Sequence, residues 1–304
     1  MYQSETGGIA SQAKGLLWEM RPWQWYKQSM VLLGVTFSGR LFDVSAVVQS
    51  LLTVSAFSMV AGAVYVFNDI SDVEQDRKHP EKRNRPIASG TVSIPTATIF
   101  GGFVGVVGLW LGYYVDVLVL AILLAYVLNN VFYNLGLKDV LFVDILIIAI
   151  GFVLRALAGV YAIQTDVGLP SPWLIVCTLL AALLLGLGKR YQELKHPESD
   201  DTRTSLERYD IQVIDRLLVV VISTLLMAYS LYTFNGGNQL MMLTLPFAYF
   251  ATFRFYHLIY LDDEARTVER MILFDRSFIV NLALWVAAIL IAIYLRQLFV
   301  GVLG

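Results

Sequence analysis

Long apolar runs alternate with short polar breaks along this chain, and nine apolar segments can be drawn. They fall at 28–43, 46–67, 93–114, 116–135, 140–163, 171–188, 213–234, 239–260 and 275–299. Each approaches the ~20 residues that a helix needs to cross hydrocarbon. The pattern predicts an all-α integral membrane protein with nine transmembrane helices, folded as a single domain over residues 1–304. The first segment is short and is expected to tilt, or to begin inside the stretch before it. That stretch, 15–27, mixes Trp18, Trp23, Trp25 and Tyr26 with Arg21 and Lys27, the composition of a segment lying at a membrane interface. Residues 1–14 read as a small polar tail. No cleavable leader is expected, because Glu19, Arg21 and Lys27 interrupt the first apolar cluster.

Composition agrees with the pattern: 57% of residues are hydrophobic and only 15% are charged. The net charge of −2 gives no basis for a nucleic-acid partner, and membrane lipids are the expected surroundings. Placement of charge is more informative than its sum. Of the 22 Lys and Arg, all but Arg40, Arg155 and Arg296 lie in the N-terminal tail or in and beside the loops after segments two, four, six and eight. The positive-inside rule then puts the N-terminus and those loops in the cytoplasm, at a bacterial-type inner (plasma) membrane. Two of the loops, 69–93 and 189–213, are long enough to cap a cavity. They share a faint echo, Lys78-His79-Pro80-Glu81 and Lys195-His196-Pro197-Glu198. Cys177 stands alone in an apolar run, and the three histidines show no metal-ligand spacing.

Candidate chemistry concentrates at the end of the second segment. Asn68 and Asp69 are followed by Asp72 and Asp76, so the acids stand at i, i+3 and i+7. On a continuing helix they fall within about 60° of arc. Three carboxylates on one face repel one another unless a cation lies between them, and Mg²⁺, which bridges carboxylates to substrate phosphates, is the expected one. Arg77, Lys78, Lys82, Arg83 and Arg85 follow directly and suit phosphate oxygens. A charged loop of this kind often does no more than keep a turn solvated. Helical spacing of acids at a membrane boundary favours a site instead, built for a diphosphate leaving group.

Further candidates lie downstream. Tyr133 and Lys138 end the fourth segment, where they serve as interface anchors or reach a phosphate. Lys189, Arg190, Tyr191 and Glu193 open the second long loop and are expected to form a second anion clamp. Asp144 and Arg155 are ionisable groups within an apolar segment, which face a cavity or a partner. The last charged connection, with Arg254, Asp262, Asp263, Glu264, Arg266, Glu269, Arg270, Asp275 and Arg276, is expected to play at most a supporting role.

The motif Asn68-Asp69-x-x-Asp72-x-x-x-Asp76, on the second of nine predicted spans, resembles the first Asp-rich motif of the UbiA superfamily of intramembrane prenyltransferases. Further residues narrow the resemblance to the branch that transfers phosphoribosyl to polyprenyl phosphates. These are Arg21-Pro22-x-Gln24-Trp25-x-Lys27, the run from Asp76 to Gly90, Gly136-Leu137-Lys138 and Gly188-Lys189-Arg190-Tyr191-x-Glu193-Leu194. The resemblance implies a UbiA-like helical bundle with cytoplasmic cap loops. It implies transfer of 5-phosphoribosyl from phosphoribosyl diphosphate to a polyprenyl phosphate of decaprenyl type, for cell-envelope polysaccharide precursors. Mg²⁺ on Asp69, Asp72 and Asp76, assisted by Asn68, would hold the diphosphate. Lys27, Lys82, Arg83, Arg85, Tyr133, Lys138, Lys189, Arg190, Tyr191 and Glu193 would form the substrate-binding set.

The loop after the sixth span departs from ordinary members of the superfamily, which carry a second Asp-rich motif there. Here it opens with Lys189 and Arg190, and its Asp200-Asp201 pair lacks the spacing. A donor with a second phosphate end explains the basic replacement. The alternative is transfer of a prenyl group from a prenyl diphosphate to an aromatic acceptor, which the first motif serves equally well. A transporter ranks third, on Asp144 and Arg155 alone. A CDP-alcohol phosphotransferase is disfavoured, since its Gly-containing Asp motif is absent. A homo-oligomer is compatible with the sequence, which carries no signal for or against one.

Overall fold

The structure, a computed structural model, describes residues 9–163, 170–196, 208–235, 238–261 and 268–303. Among them every regular element is helical: α1 (Ile9–Glu19), α2 (Leu33–Phe37), α3 (Val44–Ser71), α4 (Val73–Asp76), α5 (Ile94–Val115), α6 (Val117–Asn134), α7 (Val143–Ile163), α8 (Pro172–Lys195), α9 (Ile211–Asn235), α10 (Leu245–Leu261), α11 (Val268–Phe274) and α12 (Arg276–Leu303), with short 3-10 turns between some of them. Seven of these, α3, α5, α6, α7, α8, α9 and α12, are long and apolar enough to cross a membrane.

The other two predicted segments are assembled from shorter pieces. Segment 28–43 falls on a 3-10 helix, Pro22–Leu32, followed by the five residues of α2. Segment 239–260 becomes a 3-10 turn, Gln239–Thr244, and the 17-residue α10. Hydropathy averages over such breaks, because apolar side chains score alike in either helix type.

The chain divides into two compact units. The first holds the described residues up to Val35, Asp43–Asn134 and α7 from Leu154 onward; the second holds Thr36–Phe42, Leu135–Val153 and the described residues beyond 168.

In the first unit α3 is the central element. Asp43 caps its start, accepting the Ala46 N–H at 3.2 Å. Ser93 caps α5 in the same way, through Thr96 N–H at 3.3 Å. The two helices approach closely because Gly108 has no side chain: a Cβ there would lie 2.9 Å from Val60 Cγ2 and 3.1 Å from the Ala56 carbonyl oxygen. Gly159 is tighter still, since its Cβ would meet the Val31 carbonyl oxygen at 1.8 Å. Beyond the end of α3 the polar connection has a small core of its own, Val66, Val73, Ile87, Val92 and Ala97, with Leu16 and Ile70 against it. That core ties the turn around Ile87 to α1 and α3, and so sets where the adjoining charges stand.

The second unit is centred on Ile145, Leu184, Leu187, Tyr209, Ile214, Leu218, Phe255 and Ile259, contributed mainly by α7, α8, α9 and α10. A smaller cluster, Met241, Ile289 and Ala292, joins the 3-10 turn to α12.

Candidate active site

The acidic motif does not continue as one regular helix. α3 ends at Ser71, Asp72 has φ −94° and ψ 5°, and α4 restarts at Val73. Asp69 lies at the end of α3 and Asp76 at the end of α4, both buried, while Asp72 is half-buried at the junction.

Arg85 joins the two buried acids. Its Nη1 donates to Asp69 Oδ1 at 2.9 Å and to Asp76 Oδ2 at 2.7 Å. Arg21 adds a second guanidinium, with Nη2 at 2.6 Å from the same Asp69 oxygen and Cζ 4.9 Å from the Tyr65 ring centre. Arg21 adopts φ 51° and ψ 61°, a left-handed backbone that costs a non-glycine residue roughly 1–2 kcal/mol. The ion pair offsets that strain. Burial pushes Asp76 above its ordinary pKa, with Arg85 pulling it back down.

Glu19 is the hidden member of the cluster. It is 2% exposed, and its Oε1 accepts the Ile87 N–H at 2.8 Å. Burial pushes it up to about 8, and its hydrogen-bond contact with Asp69 adds to the rise.

Asp69, Asp72 and Asp76 offer only carboxylate oxygens, the donor type that Mg²⁺ takes. Asp69 Oδ2 is buried and receives no N–H or hydroxyl, which leaves it coordination capacity. Arg85 stands between Asp69 and Asp76, and among the described residues no three acids or histidines are gathered as a metal-binding group. The donor chemistry therefore fits the ion, and its assembly requires Arg85 to yield.

The remaining residues of the first unit surround this cluster unevenly. Asn68 Oδ1 accepts from Asn134 Nδ2 at 2.6 Å, which leaves the Asn68 amide N–H groups to donate. Arg77 is engaged with Glu74 at 2.8 Å and with the Ala88 carbonyl at 3.2 Å. Lys82 is half-buried and Arg83 exposed. His79 Nδ1 accepts from the Glu81 and Lys82 amides and shapes their turn. Lys27 donates to Gln24 at 3.1 Å, and Tyr133 is half-buried at the end of α6. Deeper in the unit, Arg155 donates to Gln28 at 2.7 Å and to the Tyr126 hydroxyl at 3.1 Å, over the faces of Phe57 and Tyr126.

In the second unit Arg190 is buried. Its Nε donates to Asp144 Oδ2 at 3.0 Å and its Nη1 to Glu193. Tyr209 donates its hydroxyl to the other Asp144 oxygen at 2.5 Å and accepts the Phe142 N–H at 2.9 Å. Burial and the Asp144 hydrogen bond together raise the Tyr209 pKa. Lys189 is exposed, 3.9 Å from Glu193, and Lys138 is half-buried in a turn that follows Gly136 at φ 121°. Tyr191 packs on Tyr260, ring centres 5.0 Å apart. Asp144 and Arg155, eleven residues apart on α7, thus have different partners. Pro197, Glu198, Asp200, Asp201, Asp262, Asp263, Glu264 and Arg266 lie outside the described residues.

Three participants lie outside the site residues expected from the sequence. Glu19 and Arg21 sit in an aromatic and basic stretch that reads as an interface anchor, and Tyr209 follows a polar loop without a motif. Their partners are 48 to 68 residues away, so local spacing holds no record of them.

The described residues thus form an all-helical, largely apolar chain with paired acids and guanidiniums at the end of its second apolar segment, the setting of an integral membrane protein with a polar site at a helix end. Residues 29–282 match the UbiA prenyltransferase family, and the chain belongs to it. It is an integral membrane transferase of that family. Among its relatives, the decaprenyl-phosphate phosphoribosyltransferase of Mycolicibacterium smegmatis is 31% identical over 249 residues, covering 79% of this chain and 77% of that protein. The enzyme of the same name from Corynebacterium glutamicum is 29% identical over 302 residues, covering 94% and 89%. In fold, the chain is similar to a UbiA homologue from Archaeoglobus fulgidus bound to GPP and Mg²⁺, with TM-score 0.68, 14% identity, and 92% and 99% of the two chains covered. A digeranylgeranylglyceryl phosphate synthase structure gives TM-score 0.69 at 18% identity, covering 93% and 98%.

Proposed function

We propose that this chain transfers 5-phosphoribosyl from phosphoribosyl diphosphate to a polyprenyl phosphate of decaprenyl type, releasing diphosphate. The observation that carries the reading is the convergence of Arg21 and Arg85 on Asp69 and Asp76. Two guanidiniums offer a diphosphate its hydrogen-bond donors, beside acids of the type that recruit its counter-ion. The relatives named for this reaction, at about 30% identity, support the choice of donor and acceptor.

In this reading Asp69, Asp72 and Asp76 hold Mg²⁺, which when bound supplies charge neutralisation for the leaving diphosphate. Asn68 donates an amide N–H to a phosphate oxygen, its carbonyl being engaged by Asn134. Arg85 exchanges its carboxylate partners for phosphate oxygens, with Lys27, Lys82, Arg83 and Tyr133 as further contacts. The bond from ribose C1 to the diphosphate oxygen breaks, C1 takes on oxocarbenium character, and a polyprenyl phosphate oxygen bonds to C1. That oxygen is already anionic near neutral pH, so no base is required. The protein contributes positioning and electrostatic stabilisation in a site sheltered from water.

Lys138, Lys189, Arg190, Tyr191 and Glu193 are assigned to phosphate recognition on the motifs they occupy. Arg190 carries a condition: its guanidinium already serves Asp144 and Glu193, so a phosphate must displace Glu193 to reach it. We place the acidic cluster on the cytoplasmic side of the inner membrane, with 1–304 acting as one membrane domain whose product feeds cell-envelope polysaccharide synthesis.

The test incubates purified protein in nanodiscs with Mg²⁺, labelled phosphoribosyl diphosphate and decaprenyl phosphate. Labelled lipid that disappears with EDTA is the expected result. Transfer from a labelled prenyl diphosphate, with phosphoribosyl diphosphate inert, would replace this reading with the prenyltransferase one.

A further inference from the structure

The 3-10 helix Pro22–Leu32 is eleven residues long, whereas such helices seldom run beyond three or four, so its surroundings must hold it. Its inner face repeats every three residues: Gln28 and Val31 are almost fully buried, and buried Gly34 continues the row. Arg155 and Gly159, four apart on α7, share the face that meets them. The backbones touch there. A Cβ on Gly159 would lie 1.8 Å from the Val31 carbonyl oxygen, and one on Gly34 would lie 2.2 Å from the Gly159 carbonyl oxygen. Beside this contact Arg155 Nε donates to Gln28 Oε1 at 2.7 Å. The glycines let the backbones meet, and the hydrogen bond selects one register of the 3-10 helix on α7.

The guanidinium that makes this bond is itself fixed. Its Nη2 donates to the Tyr126 hydroxyl at 3.1 Å, and its Cζ lies 4.7 Å from the Tyr126 ring centre and 5.6 Å from that of Phe57. Side chains of α3 and α6 thus hold the group that holds Gln28. An ionised group buried midway along an apolar helix is costly to desolvate, and is kept where it does something that packing cannot.

Arg21 is the N-cap of the same 3-10 helix, seven residues or about 14 Å of 3-10 rise before Gln28. Its left-handed backbone is bracketed by two anchors. On one side Met20 is seated against α3, where a Cβ on Gly62 would meet Met20 Cε at 2.9 Å and Met20 Cβ at 3.1 Å. The Met20 carbonyl also accepts from Trp25 Nε1 at 3.2 Å. On the other side the helix is anchored at Gln28.

We propose that Arg155 and Gln28 are positioning residues for Arg21. Their hydrogen bond sets the register of the 3-10 helix against α7, and so the point from which the Arg21 guanidinium reaches Asp69. Neither residue touches substrate in this assignment. Its kinetic consequence rests on the transfer reaction proposed above; its structural consequence does not.

Gln28→Leu removes the acceptor at similar volume, and Gln28→Glu keeps an oxygen in its place. Gln28→Leu/Arg155→Met removes donor and acceptor together without stranding a guanidinium, and it replaces Gln28→Leu should that protein fail to fold. Each variant is purified in nanodiscs, alone and combined with Arg21→Ala. All are compared at equal folded fraction by hydrogen exchange of peptides covering 21–32 and by steady-state kinetics.

Gln28→Leu is expected to speed exchange over 21–32 by at least about tenfold and to lower kcat/KM for phosphoribosyl diphosphate by about tenfold. Gln28→Glu stays within about threefold of the unmodified protein on both readouts. In the Arg21→Ala background Gln28→Leu lowers kcat/KM by less than about threefold further, because the group it positions is gone. A full tenfold loss in that background would overturn the proposal, since Gln28 and Arg155 would then act on something other than Arg21. Faster exchange with unchanged donor kinetics would overturn it too, reducing the pair to packing. So would a Gln28→Glu protein as impaired as Gln28→Leu. If the unmodified protein transfers nothing from phosphoribosyl diphosphate, the functional reading fails by itself. Unchanged exchange over 21–32 in Gln28→Leu would still refute the positioning role.

Discussion

Arg21 meets Asp69 at 2.6 Å across 48 residues of chain, and it does so from a left-handed backbone just before Pro22. Asp69 is almost fully buried, whereas Arg21 retains some exposure, so the two partners contribute unequally. Removing the guanidinium leaves Asp69 with Arg85 as its remaining cation. Arg21→Ala is therefore expected to destabilise the protein by about 1–3 kcal/mol, less than the loss of a buried carboxylate's sole cationic partner. Thermal unfolding in detergent measures this. If the diphosphate reading holds, kcat/KM for the donor falls by about ten- to a hundredfold as well. Arg21→Lys keeps the charge but loses the planar fork and the contact with Tyr65, and should recover stability better than turnover.

Asp72 separates the chemistry from the fold. Unlike Asp69 and Asp76 it is half-buried, at the break between α3 and α4. Asp72→Ala should leave a folded, membrane-inserted protein in which transfer drops by at least about a hundredfold, as when a charge-stabilising group is removed from a transition state. Mn²⁺ binding followed by electron paramagnetic resonance provides a second readout, with weaker binding expected in the variant. Full transfer activity in that variant would remove Asp72 from the metal-binding set.

Much of this arrangement can be read from the sequence, and the exceptions share a cause. The acids at 69, 72 and 76 and the basic run after them announce themselves by spacing, because residues close in sequence must be close in space. Hydropathy finds seven helices of spanning length for the same local reason. It does not register that 28–43 and 239–260 are each assembled from a 3-10 stretch and a shorter α-helix, because the two helix types bury similar side chains. The partners of Asp69 could not be found this way. Arg21 and Arg85 reach it from different elements, and the packing of Leu16 and Ile87 into a common core brings those elements together. Asp144 and Arg155 illustrate the same limit: their burial was legible, but not that one takes Arg190 and the other Gln28 and Tyr126.

A second acid is engaged by a guanidinium at the start of α12. Asp275 accepts from Arg254 at 3.2 and 2.7 Å and from the Phe278 N–H at 2.7 Å, so it caps the helix while pairing with α10. The Arg254 hydrogen bond lowers its pKa, burial opposing. A carboxylate with a depressed folded pKa adds stability that is complete above the ordinary value of 3.8 and disappears as pH falls through the lower folded value. Thermal stability should accordingly decline on acidification through and below that range. Asp275→Asn should flatten this part of the pH profile, and Asp275→Ala should cost about 1–2 kcal/mol near neutral pH through loss of the cap. A profile identical to that of the unmodified protein would show that Asp275 is not the group responsible.

Arg190 offers the most demanding test, because two readings of it conflict. As a phosphate ligand it must be free to turn toward substrate; as observed, it is buried between Asp144 and Glu193, with Tyr209 bracing Asp144 from the far side. Removing Asp144 alone leaves a buried guanidinium with half its compensation, so Asp144→Ala should cost about 3–5 kcal/mol. Arg190→Met in turn strands the buried carboxylate with Tyr209 as its remaining side-chain partner. The double variant Asp144→Ala/Arg190→Met removes both charges and should be more stable than the sum of the single losses predicts, by about 1–3 kcal/mol. Unfolding in mild detergent, followed by tryptophan fluorescence, supplies all four corners of the cycle. Additivity within about 0.5 kcal/mol would mean that the pair is not coupled and that Arg190 is free to serve a phosphate. Strong coupling would mean that Arg190 holds α7 to α8, leaving exposed Lys189 and half-buried Lys138 as the better phosphate ligands of that unit.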